Sequence, residues 1–179
     1  MYLRLKISAI FLAVTVLCLV SNGCRVTPYE RKLPEWVRRI HVIMAENKTT
    51  EPGLEELVTN ALIEKVMEDG RLELTTRSRA DAVVRIKIES FTILPRAFSD
   101  DNVARQYTII MTASLFLYEP NDLENAFAQV RDTRVVYAYE GDYRSTSAIT
   151  RPQALRALAN EAGYVFLNDI FNRVDIIQE

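Results

Sequence analysis

The stretch Gln106–Tyr118 limits the possible folds more than any other part of the chain. Tyr107, Ile109, Met111, Ala113, Leu115 and Leu117 occupy every second position, with Thr108, Ile110, Thr112, Ser114, Phe116 and Tyr118 between them. A period of two puts the first set on one face of a strand and the second on the other. The first face is apolar and the second is mixed but rich in β-forming residues. The spacing predicts a long strand with one face on a core and the other partly wet.

Other segments repeat this pattern. In Val37–Ala45, Ile40, Val42 and Met44 alternate with Arg39, His41 and Ile43, which predicts a first strand. Arg71–Thr75 predicts a short one with Leu72 and Leu74 on one side. Val84, Ile86 and Ile88 alternate with Arg85, Lys87 and Glu89, the clean signature of a sheet with one solvated face. Arg77–Asp81 reads as a polar turn and Pro95–Asn102 as a polar loop. After a connection at Glu119–Asn125, Arg134–Asp142 predicts a strand that pairs with Gln106–Tyr118 as a hairpin.

Two segments switch to the helical period. Leu54, Leu57, Val58, Ala61, Leu62 and Val66 form one stripe, with Thr50 as the expected N-cap, Pro52 near the first turn and Gly70 as the residue that ends the helix. Thr150-Arg151-Pro152-Gln153 matches a capping box. Leu155, Leu158, Ala162, Val165, Phe166 and Ile170 then give a second stripe ending near Val174. The expected architecture is α+β, with two amphipathic helices packed on one face of a four- to five-stranded mixed, mostly antiparallel sheet.

The first residues follow a different grammar. Arg4 and Lys6 precede the apolar run Ile7–Val20, which is shorter than the roughly 20 residues of a membrane-spanning helix. Small and polar residues follow, and then Gly23-Cys24, a site that resembles a lipobox although Ser21 and Asn22 replace its commonest residues. The expectation is a lipoprotein signal peptide over 1–23, with Cys24 acylated by palmitate-type chains. Residues 24–35 would be a lipidated tether and 36–179 a single α+β domain. Cys18 lies inside the apolar run and leaves with the leader, so no intramolecular disulfide is expected. Arg25 stands where an inner-membrane retention signal would carry Asp, which favours the outer membrane.

Removing the leader deletes two cations and no acid, taking the net charge from −2 to −4. Such a chain has no basic footprint for nucleic acid. Its 49% hydrophobic content, with only 5 Gly and 6 Pro, argues for a packed core.

The sequence shows no catalytic constellation. His41 is the only histidine and falls opposite the apolar positions of its strand, as a surface or edge residue would. There is no metal-ligand spacing and no glycine-rich phosphate loop. Ser145-Thr146-Ser147 lacks a nucleophile-elbow context and reads as a polar loop, and the Asn47-Lys48-Thr49 sequon has no meaning in a bacterial envelope. No cofactor and no enzymatic activity are expected.

The stretch Glu46-Asn47-Lys48-Thr49-Thr50-Glu51-Pro52-Gly53-Leu54-Glu55, following Val42-Ile43-Met44, resembles the LPS-assembly lipoprotein family LptE. The likeness continues through Thr59-Asn60-Ala61-Leu62, Asp69-Gly70-Arg71 and Ala80-Asp81-Ala82. The resemblance implies a lipoprotein anchored on the periplasmic side of the outer membrane. It would associate with the LptD β-barrel and assist lipopolysaccharide assembly at the cell surface without catalysis. Cys24 matches the acylated cysteine, and Asn47–Glu55 match a strand-to-helix turn whose role is structural. Phosphates of lipopolysaccharide call for Lys and Arg. Arg85, Lys87 and Arg134 are the candidates for a lipopolysaccharide-facing set, with Arg96, Arg131 and Arg144 nearby in sequence. A periplasm-facing structural or adaptor lipoprotein of another envelope complex, of a secretion or Tol-like kind, fits the same plan.

Overall fold

The middle strand of the sheet is the one marked by the long alternation. A computed structural model describes residues 32–98, 100, 103–141 and 149–177. Its elements are β1 (Arg39–Val42), β2 (Glu46–Asn47), α1 (Leu54–Asp69), β3 (Glu73–Leu74), a 3-10 turn (Arg77–Arg79), β4 (Ala82–Phe98), β5 (Ala104–Glu119), β6 (Asp122–Glu140), α2 (Arg151–Asn172) and β7 (Asp175–Ile176). They form one seven-stranded mixed sheet in the order β3-β1-β4-β5-β6-β7, with β2 also on β4. β1, β2 and β3 pair in parallel, while β4-β5-β6-β7 is antiparallel.

Seven strands stand where four to five were expected. The additional ones are two-residue pieces, too short for any periodicity to announce them. Two other boundaries moved. Residues 95–98 are strand and not loop: beyond Ile88 no described strand pairs with the other edge of β4, where the donor missing from Pro95 breaks no ladder bond. β6 begins at Asp122 and not at Arg134. Its register jumps from Leu115↔Val130 to Ala113↔Thr133, leaving Arg131 and Asp132 in a bulge, with Asp132 at φ 54. That bulge interrupts the alternation and hides the first half of the strand.

The inner face of the meander carries Val84, Ile86, Ile88, Ile109, Met111, Leu115 and Leu117, all fully buried. The helices meet it with Leu54, Val58, Leu62 and Val66 from α1 and Leu158, Ala162, Phe166 and Ile170 from α2, in one continuous core. Apart from Ala162, each such side chain contributes about 1.5–3 kcal/mol relative to exposure. The N-cap of α1 is Gly53 at φ 82, not Thr50, and Gly70 at φ 72 closes the helix as expected. In α2 the capping box forms between Thr150 and Gln153.

The two helices run parallel. Contacts advance together along both, from Glu51 with Arg151, through Ala61 with Gly163, to Arg71, whose guanidinium stacks 3.8 Å from the Phe171 ring centre. Gly163 permits this approach: an added Cβ would stand 2.7 Å from the Ala61 carbonyl oxygen. Packing reaches back to Leu33, which is buried, and the Lys32 N–H donates to the Phe171 carbonyl at 2.9 Å.

Candidate functional site

The outer face of β4-β5-β6 is not covered by the helices. Cross-strand pairing places its side chains in rows: Arg85 with Phe116 and Gln129, Lys87 with Ser114, Ser90 with Thr112 and Arg134, and Thr92 with Ile110 and Val136. The sheet therefore brings Arg85, Lys87 and Arg134 onto one face. With strands about 4.8 Å apart and residues about 3.3 Å apart, their backbone positions lie within roughly 17 Å.

Their surroundings differ. The Arg85 guanidinium lies 4.9 Å from the centre of the Tyr118 ring, within cation–π range, and no carboxylate among the described residues pairs with it. Arg134 is exposed and likewise has no carboxylate partner among the described residues. Lys87 is balanced locally. Its Nζ is 3.5 Å from Glu89, and its parallel neighbour across β2 is Glu46, which also meets Lys48 at 3.9 Å. The available positive field therefore comes chiefly from the two arginines, a distinction that strand parity alone could not show.

Two further arginines keep to short side-chain bonds. Arg96 Nε donates to Thr108 Oγ1 at 3.3 Å and Arg131 Nε to Gln129 Oε1 at 3.0 Å. Near Arg96 a cavity of about 400 Å³ opens between Tyr107, Thr108, Tyr139 and Glu140. The Tyr107 and Tyr139 rings stack 5.3 Å apart there, and burial is the first cause that raises the Tyr139 hydroxyl pKa. Cys24, Arg144 and Ser145–Ser147 lie outside the described residues.

The 46–55 turn is held by Asn47. Its amide donates to the Glu51 carbonyl at 2.7 Å and to Glu55 Oε2 at 2.8 Å, while its oxygen accepts from the Thr49 N–H and hydroxyl at 2.9 and 2.8 Å. The backbone N–H of Glu55, then the Asn47 amide, hold the Glu55 carboxyl below its usual range. Both polar atoms of the Asn47 side chain are thus spent on the turn itself, as a structural signature requires. Asp81 does similar work at the start of β4. It accepts from the backbone N–H groups of Arg38 and Arg39 and pairs with the Arg39 guanidinium at 2.7 Å. The Arg39 side chain is the main cause that lowers its pKa to about 2.

His41 packs partly buried with Nδ1 2.9 Å from the Thr75 carbonyl, an acceptor, so Nδ1 carries the proton in that contact. Asp169 is buried and accepts from Thr133 Oγ1 at 2.5 Å and from Arg173 at 3.0 Å. The Thr133 bond ties α2 to β6 just beyond its bulge, and the Arg173 bond closes the last turn of α2. Among the described residues no cluster of His, Cys, Asp or Glu could hold a metal, and no helix is long and apolar enough to cross a membrane.

Fold and surface together define a small α+β protein of the two-helix, long-meander type, which presents an open sheet face on which two arginines have no carboxylate partner among the described residues. A model of the LptE family, described as lipopolysaccharide-assembly, matches residues 37–174, and the chain belongs to that family. Among curated proteins none matches the chain. Its shape is similar to a minor lipoprotein of Acinetobacter baumannii, at 12% identity and TM-score 0.49 over 82% of this chain and 100% of that one. It is also similar to uncharacterized lipoprotein B of Nitrosomonas europaea, at 13% identity and TM-score 0.49 over 83% and 90% of the two chains. The rare lipoprotein B of Shewanella oneidensis follows at 14% identity and TM-score 0.44 over 74% and 93%. The family assignment rests on the match over 37–174 alone.

Proposed function

We propose that the chain is an outer-membrane lipoprotein that associates with an LptD-type β-barrel and assists delivery of lipopolysaccharide to the cell surface. Residues 1–23 are the removed leader, Cys24 carries the acyl chains, and residues 24–35 tie the 36–179 body to the periplasmic side of the membrane. The protein works by surface contact and not by catalysis. The observation that carries this reading is the lipopolysaccharide-assembly family match across nearly the whole body.

The outer sheet face is the side that meets lipopolysaccharide, with Arg85, Lys87 and Arg134 meeting its phosphates. Guanidinium groups suit this role because their planar forks bond phosphate oxygens in pairs. The absence of a carboxylate partner at Arg85 and Arg134 among the described residues supports the assignment, and Lys87 contributes less because Glu89 and Glu46 flank it.

Capture of the tagged full chain from detergent-solubilised envelopes tests the reading. A large β-barrel and lipopolysaccharide are expected in the eluate of the parent chain. Recovery of a secretion or Tol-like complex in their place would overturn it.

A further inference from the structure

We propose that the corner of the body around β7 is a second membrane contact, laid on the phospholipid headgroup layer beside the lipid anchor. The inference rests on the acylated Cys24 of the preceding reading. Trp36, the only tryptophan, is 53% exposed, and its ring centre stands 5.2 Å from that of Phe127. The Phe127 carbonyl accepts the Ile177 N–H at 2.8 Å, and Ile176 and Ile177 are themselves exposed. Single apolar side chains on a surface are ordinary, but a tryptophan and two isoleucines gathered around one edge form a patch that water solvates poorly.

The charges beside this patch are arranged in sequence across it. On one flank of β7, Lys32, Arg131 and Arg173 line a concavity of about 280 Å³, with Asp175 the acid among its lining residues. Arg173 is bonded to Asp169 through Nη1 and still has a side chain 53% exposed. On the opposite flank Glu119, Asp122 and Glu124 border Phe127 and Ile177. A cationic side meets lipid phosphates, the indole and isoleucines enter the boundary between headgroups and acyl chains, and the acidic side points away from the layer.

The tether selects a bilayer as the occupant. The described chain starts at Lys32, bonded to the C-terminal turn of α2 from which β7 departs. Fully extended, the link from Cys24 to Lys32 spans at most about 30 Å. Acyl chains on Cys24 therefore hold this corner close to the bilayer, and tryptophan is the side chain most at home in the interfacial layer.

The single tryptophan makes the test direct. The full chain, with Cys24 acylation verified by mass spectrometry, is reconstituted in phosphatidylethanolamine vesicles with a minority of phosphatidylglycerol, and Trp36 emission is compared between ordinary and brominated acyl chains. Loss of most of the emission in brominated vesicles is expected. Ile176→Asp with Ile177→Asp restores it, and Arg131→Glu, at an exposed position, weakens the quenching without touching the patch. An acylated chain whose Trp36 is not quenched overturns the inference and leaves the anchor standing, as does a double variant quenched as fully as the parent. A bare Cys24 overturns the anchor and, with it, the inference.

Discussion

The same three strands have two faces that obey different rules. On the inner face Ile86, Ile88, Ile109, Met111 and Leu115 exclude water completely, and every neighbouring side chain is fixed by packing. On the outer face Arg85, Thr92, Arg134 and Val136 stand at least partly in solvent, and long cations take few fixed partners. The comparison separates residues that make the fold from residues free to be spent on a ligand. An outer position can change charge without disturbing the core, because alternation sends each neighbour along the strand to the opposite side.

Substitutions on the two sides sharpen that contrast. The largest effect is expected from Phe166→Ala in the inner layer, which should cost about 3–5 kcal/mol in a denaturant melt through lost burial and the cavity left behind. A cost under about 1 kcal/mol would mean that α2 does not seal the core as described. Asp169→Ala comes next. It strands the Thr133 hydroxyl in a buried site and should cost about 1–3 kcal/mol, while Thr133→Val combined with it should recover part of the loss. Gly163→Val forces α1 and α2 apart at the Ala61 carbonyl and should also cost about 1–3 kcal/mol.

A smaller effect is tied to pH. The folded pKa of Asp81 is lowered from 3.8 to about 2. Its bonds thus add stability that is present above pH 3.8 and is lost as the pH falls through about 2. Asp81→Asn should flatten that limb of the stability curve, and an unchanged limb would place the linkage elsewhere. The smallest effects belong to the outer face, where Arg85→Ala and Arg134→Ala should each move stability by less than about 0.5 kcal/mol.

Much of this division was legible in the residues. The alternation at Gln106–Tyr118, the two helical stripes, Gly70 and the Thr150–Gln153 box each reported local geometry that the tertiary structure then used. What escaped has physical causes. The bulge at Arg131 and Asp132 resets strand parity, so no alternation count could carry the first half of β6 into its second half. Pro95 reads as a break unless the free edge of β4 is known. The strands β2 and β7 exist only because a longer neighbour offers an edge. At the candidate site, parity put Arg85 and Lys87 together. Glu89, two residues beyond Lys87 on the same strand face, was readable there too, whereas the pairing of Arg134 through Thr112 and the approach of Glu46 to Lys87 depend on register between strands and were not.

Equilibrium binding of lipopolysaccharide to the parent chain and to a variant with Arg85→Ala, Lys87→Ala and Arg134→Ala, at one salt concentration and with melting curves matched, tests the central claim most directly. The variant is expected to bind at least about tenfold more weakly, the loss of roughly 1.4 kcal/mol that follows from removing charge-assisted bonds to phosphate. Equal affinity of the two proteins would contradict the account, because the open face would then be solvent-facing and nothing more.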